Sequence, residues 1–147
     1  MVDVTRTFTV QTAPDAVLDY LRDFARAEEW DPGTIRCDRL DDGPVRVGST
    51  WRNVSKFLGS ETELTYELTA AEADRLRFVG KNDTATSTDD IRVLPGEHQG
   101  TSSVTYHAHV EFHGAAKLAA PLAKIALEKL GTETEDNLVR ILGGATT

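Results

Sequence analysis

The 147 residues include 39% hydrophobic and 27% charged side chains and carry a net charge of −8, a make-up that fits one globular domain over 1–147 and excludes a disordered chain. An acidic surface repels phosphate backbones and anionic headgroups, so nucleic acid is not expected as a partner, nor is stable membrane insertion. Cys37 is the single cysteine, which rules out an intrachain disulfide, and the N-terminal MVDVTRTFTV lacks a basic-then-apolar leader pattern, so a cytoplasmic protein is expected.

Asp3–Gln11 alternates, with Val4, Arg6, Phe8 and Val10 on one face, and reads as a half-buried strand. Thr12-Ala13-Pro14-Asp15 opens a helix, with Pro14 in the first turn and Val17, Leu18, Leu21 and Phe24 at helical spacing. A second short helix over about 25–29 ends at the turn cluster Trp30-Asp31-Pro32-Gly33. Strands are then expected over Thr34–Leu40, Ser49–Phe57, Glu61–Ala71, Arg75–Lys81, about Thr86–Leu94 and Ser102–Phe112, with Leu58-Gly59-Ser60 as a tight hairpin. After Gly114 the period changes to that of a helix. Leu118, Leu122, Ile125, Leu130, Leu138 and Ile141 form its apparent apolar stripe, and Pro121 marks a first turn or a kink. The apolar 118–130 stretch is interrupted by Lys124, Glu128 and Lys129 and is not expected to span a bilayer. The pattern is α+β: a curved seven-stranded antiparallel sheet wrapped around a long C-terminal helix, with two short helices after the first strand.

Ala13-Pro14 before Val17-Leu18-Asp19-Tyr20, Trp30-Asp31-Pro32-Gly33, Phe57-Leu58-Gly59 before Glu63-Leu64-Thr65-Tyr66, and Gly100-Thr101 before Val104-Thr105-Tyr106 together make the chain similar to the START-like (SRPBCC) superfamily. It most resembles the branch of polyketide cyclase/dehydrase type. The resemblance implies a helix-grip fold with a ligand cavity between sheet and C-terminal helix. It implies no catalytic motif, since the matching residues are turns and core positions, and fold alone does not assign function.

Within such a fold, strand parity names the inward rows. Trp51, Asn53, Ser55, Phe57, Leu64, Tyr66, Phe78, Ile91, Tyr106, Ala108 and Val110, with Leu122 and Ile125 from the helix, are the expected ligand-binding residues. Asp89 shares parity with Ile91, and Arg6 with Val4 and Phe8. One reading makes Asp89 a general base or ligand anchor, with Tyr66, Tyr106 and Asn53 donating to a ligand oxygen. The other has the tyrosines reaching backbone or water at a pocket rim, and Asp89 and Arg6 in solvent at strand ends.

No metal site and no cofactor are expected. His107, His109, Glu111 and His113 alternate on one face of the last strand, but the row that includes Tyr106 and Val110 must be the buried one, which leaves the histidines facing solvent. Asp41-Asp42-Gly43 lacks the spaced acids of a calcium loop and reads as a turn. Cys37 reads as a semi-buried structural thiol. No nucleophile elbow, P-loop or dinucleotide fingerprint is present. The leading expectation is a module that binds a small, largely hydrophobic molecule: a lipid, an isoprenoid or a polyketide-like aromatic. The alternatives are a cofactor-independent cyclase, dehydratase or isomerase acting in the same cavity, with Asp89, Tyr66 and Tyr106 as its candidate groups, and a protein-interaction or dimerisation module. Monomer and homodimer are both open.

Overall fold

A computed structural model describes residues 1–143. Strand β1 (Val2–Val10) is followed by helix α1 (Pro14–Arg22), a 3-10 turn over 24–26 and the short helix α2 (Ala27–Trp30). Six strands come next: β2 (Thr34–Arg39), β3 (Thr50–Phe57), β4 (Ser60–Glu72), β5 (Arg75–Lys81), β6 (Ala85–Pro95) and β7 (Ser102–Phe112). A 3-10 segment, Gly114–Ala119, leads into helix α3 (Ala120–Ile141). The strands form one antiparallel sheet in the order β1-β7-β6-β5-β4-β3-β2. The helix-grip architecture expected from the sequence is therefore present, including the two short helices after the first strand.

Local chemistry explains the joints. Leu58 and Gly59 both have positive φ, +52° and +80°, which is the two-residue turn that matches strand twist in a hairpin. Asp23 ends α1 and accepts from the Ala25 amide at 3.1 Å and from the Trp51 indole at 3.2 Å. One carboxylate thus caps the 3-10 turn and ties it to β3. Register shifts in β4 between Leu68 and Ala70, and in β2 between Thr34 and Arg36, bend the sheet. Pro121 sits in the first turn of α3, so it starts that helix and does not kink it.

The inner face of the sheet is shared between two covers. Toward one end α1 and the 3-10 turn press Val17, Leu21 and Phe24 onto Leu68, Leu76, Phe78, Ile91 and Val93, all of them buried. Phe24 is the hub, with ring centroids 4.5 Å from Tyr66, 4.6 Å from Phe78, 6.0 Å from Trp30 and 6.1 Å from Trp51. Toward the other end α3 lies along β1. Gly131 allows that approach: a Cβ there would meet Val4 Cγ1 at 2.8 Å. Among the described residues, no helix is long and apolar enough to cross a membrane.

The outer face carries the solvated row. His107 Nε2 and His109 Nδ1 both lie beside Asp3 Oδ1, at 2.8 and 2.7 Å, and the hydrogen bonds from His109 and His107 hold the Asp3 carboxyl below its usual range. No cluster of three or more metal-ligating side chains occurs among the described residues. Cys37 is fully buried, and burial pushes its thiol up to about 12, which keeps it from acting as a thiolate.

Candidate functional site

Between the α3 end of the sheet and the helix lies a cavity of about 430 Å³. The inward rows of several strands contribute in turn: Val4, Arg6 and Phe8 from β1; Ser55 and Phe57 from β3; Leu64 and Tyr66 from β4; Ser87 and Asp89 from β6; Tyr106, Ala108 and Val110 from β7. The helix side supplies Ala119, Leu127, Leu130, Gly131 and Thr134. The exposed residues Lys56, Leu58, Ser60 and Glu61 place the mouth at the β3–β4 hairpin.

The polar groups gather at the inner end. Asp89 is 7% exposed, and its Oδ2 accepts from the Tyr106 hydroxyl at 2.8 Å. Burial drives its carboxyl up to about 7, against the Tyr106 hydrogen bond and with help from the nearby charge of Asp31. Asp31 follows α2 and closes an Asx turn, accepting from the Gly33 amide and the Thr34 hydroxyl, both at 2.9 Å. Burial raises its carboxyl too. Burial raises both tyrosines well above their ordinary range, and the Asp89 charge adds to it. The Tyr66 ring lies flat over Gly80, where a Cβ would meet it at 2.6 Å. That contact fixes the ring plane at the inner end of the cavity. Arg6 stands on the β1 wall and reaches α3, where Nη2 donates to the Glu128 carboxylate at 2.9 Å and to the Glu128 carbonyl at 3.0 Å.

Strand parity correctly identifies which face each residue occupies, yet only some of the expected site residues line this cavity. Ser55, Phe57, Leu64, Tyr66, Tyr106, Ala108 and Val110 do, and so does Asp89. Trp51, Phe78 and Ile91 share the inner face but lie under Phe24 and α1, where side chains fill the space. Asn53 is buried with them and donates to the Thr34 hydroxyl at 3.0 Å. Leu122 and Ile125 are a clear correction, being 65% and 71% exposed and pointing away from the sheet. The 3-10 segment and the start of α3 instead turn small residues inward, with Ala116 and Ala119 lining the cavity and Ala123 buried. Small side chains there leave open volume that leucines would fill. The solvent placement considered for Asp89 and Arg6 does not hold, since one is buried and the other is half-buried in an ion pair.

Asp31, Ser87, Leu127 and Thr134 are cavity residues that the sequence does not single out, and Leu130, read as part of the helix's apolar stripe, joins them. Asp31 reads as a turn residue, which it is, and nothing local shows that the turn faces inward. Leu127, Leu130 and Thr134 follow helical spacing to the buried Leu138, whereas Leu118, Leu122 and Ile125 of the expected stripe lie on the exposed side.

Residues 1–143 match the protein family described as "Polyketide cyclase / dehydrase and lipid transport". The chain belongs to this family. The family match also bears out the resemblance drawn from the hairpin and turn residues. No curated protein matches the chain. Among solved structures it is similar to a START superfamily protein from Mycobacterium smegmatis, at 13% identity and TM-score 0.80, with 95% of this chain and 96% of that one covered. It is also similar to the Zhui aromatase/cyclase of a Streptomyces species, at 14% identity and TM-score 0.72, covering 95% and 90% of the two chains. A STAR-related lipid transfer protein from Xanthomonas axonopodis matches at 16% identity and TM-score 0.74, covering 95% and 85%. At these identities the structural likeness speaks for the fold. One fold hosts many functions, so this chain's chemistry lies in the residues of its own site.

Proposed function

We propose that the protein binds one small, largely hydrophobic molecule in the cavity between sheet and helix. The observation that carries this is the open volume of about 430 Å³ walled by Val4, Phe8, Phe57, Leu64, Val110 and Leu127, in a domain whose other half is packed solid. Ligand sites are apolar concavities of this order with a few polar groups to orient the guest, and Asp89, Tyr106, Asp31 and Tyr66 are those groups here. Membership of a family described by cyclase chemistry and lipid transport supports the reading. Burial of apolar surface would supply the affinity, at about 25 cal/mol per Å² before the costs of immobilisation.

Titration with a neutral fluorescent naphthylamine tests this. The expected result is saturable binding of one probe per chain, abolished in Ala108→Trp, whose indole would occupy the cavity. Binding that persists in that variant, or that never saturates, refutes the reading.

One observation favours a second reading, in which the cavity also moves a proton. A carboxyl near pH 7 held against a tyrosine hydroxyl has the pKa that general acid–base work requires. A cyclase, dehydratase or isomerase needs proton removal beside a carbonyl, with the base ionised at the moment of attack. Exchange of the α-protons of a bound long-chain ketone in deuterated buffer, followed by NMR, should exceed the protein-free rate and fall to it in Asp89→Asn. Equal rates with and without protein would remove this reading.

A further inference from the structure

The charges around the cavity are lopsided. Four acids line it: Asp89 from β6, Asp31 from the α2–β2 turn, Glu61 from β4 and Glu135 from α3. Two cations line it: Arg6 from β1 and Lys56 from β3. Arg6 is already committed to the carboxylate and the carbonyl of Glu128, and Lys56 sits exposed at the mouth. The inner end therefore holds two carboxyls, Asp89 and Asp31, with two tyrosines and Ser87 beside them and no basic side chain to balance them. Its hydrogen-bonding capacity is also one-sided. The Tyr106 hydroxyl proton is spent on Asp89, whereas each carboxylate has two oxygens that accept.

From this we infer that the ligand is a lipophilic amine: apolar along most of its length, with a protonated nitrogen that docks against Asp89 and Asp31 at the inner end. The inference rests on the cavity being a ligand site and adds the chemistry of the guest's polar end. An ammonium donates up to three hydrogen bonds into a cluster of acceptors and supplies the missing positive charge where the dielectric constant is low. A fatty-acid carboxylate or a lipid phosphate in the same position would place another anion beside two existing ones, with hydroxyls alone to donate to it and no cation to offset its charge. The carboxyl that burial holds near neutrality would ionise as the amine enters, releasing a proton to buffer.

Calorimetric titration of the intact protein at pH 8 with decylamine, decanol and decanoate tests the inference, since the three differ only in the polar end. Decylamine should bind most tightly and decanoate at least about tenfold more weakly. Asp89→Asn should bring these two affinities to within about threefold of each other. Asp31→Asn serves as a second variant with the same expected direction, and circular dichroism checks that both remain folded. Decanoate binding as tightly as decylamine, or an amine preference unchanged in both variants, overturns the inference. So does amine binding that survives in Ala108→Trp, because it would then be binding to the acidic surface. If none of the three ligands binds the wild-type protein, the cavity reading itself fails. If all three bind alike, only the charge selection fails.

Discussion

Replacing Phe24 with alanine is expected to lower the unfolding free energy by about 3–5 kcal/mol. The ring is 1% exposed and touches four other aromatic side chains, Trp51, Tyr66 and Phe78 from the sheet and Trp30 from α2. Its loss removes the transfer energy of a phenyl group, and the surrounding sheet cannot collapse to refill the space. It also removes edge-on and tilted ring contacts worth about 0.5–1.5 kcal/mol each beyond area burial. A domain of this size is stable by only about 5–15 kcal/mol, so the variant should unfold at a much lower urea concentration. A cost below about 1 kcal/mol would mean that Phe24 does not anchor the closed half of the core.

The second large effect concerns Asp89 and pH. Its carboxyl titrates at about 7 in the folded protein and at about 4 in an unfolded chain. The folded state thus binds this proton more tightly. Stability from this group is complete below about pH 4 and is lost as pH rises toward 7, levelling off above it. Three pK units correspond to a loss of up to about 4 kcal/mol. Asp89→Asn removes the titration while keeping an acceptor for Tyr106. The variant should match wild type near pH 4 and exceed it by up to about 4 kcal/mol at pH 8 in urea unfolding. Because the comparison is between two chains that share every other titrating group, the histidines and surface carboxylates largely cancel. A wild-type-minus-variant difference that is flat with pH would show that the carboxylate is not buried as described.

Much of this architecture is legible in the residues. The alternation of Val4, Phe8 and Val10, or of Tyr106, Ala108 and Val110, assigns the inner face because side chains point to opposite sides of a strand with period two. Leu58-Gly59 marks its hairpin because few other pairs accept two positive φ values so readily as one ending in glycine. Parity cannot say what covers a face. Trp51 and Ser55 lie on the same side of β3, yet one is sealed under Phe24 and the other lines the cavity, and that division depends on where α1 crosses the sheet. The helix misleads for a related reason. Leu118, Leu122 and Ile125 form a regular stripe, but the face turned to the sheet is the one with Ala119 and Ala123, whose small side chains leave volume open. Asp31 and Asp89 are far apart in the chain, and they meet because the end of α2 packs on β7, with the Trp30 ring 5.7 Å from that of Tyr106. Strand spacing carries no trace of that.

The central claim is that the open half of the sheet–helix interface holds an apolar guest. Solution NMR of the methyl groups, with a neutral naphthylamine bound, tests this most directly. The structure predicts cross-relaxation and shift changes at Leu64, Val110 and Leu127, which wall the cavity. Changes confined to Leu118, Leu122 and Ile125, on the exposed face of the C-terminal helical region, would contradict it.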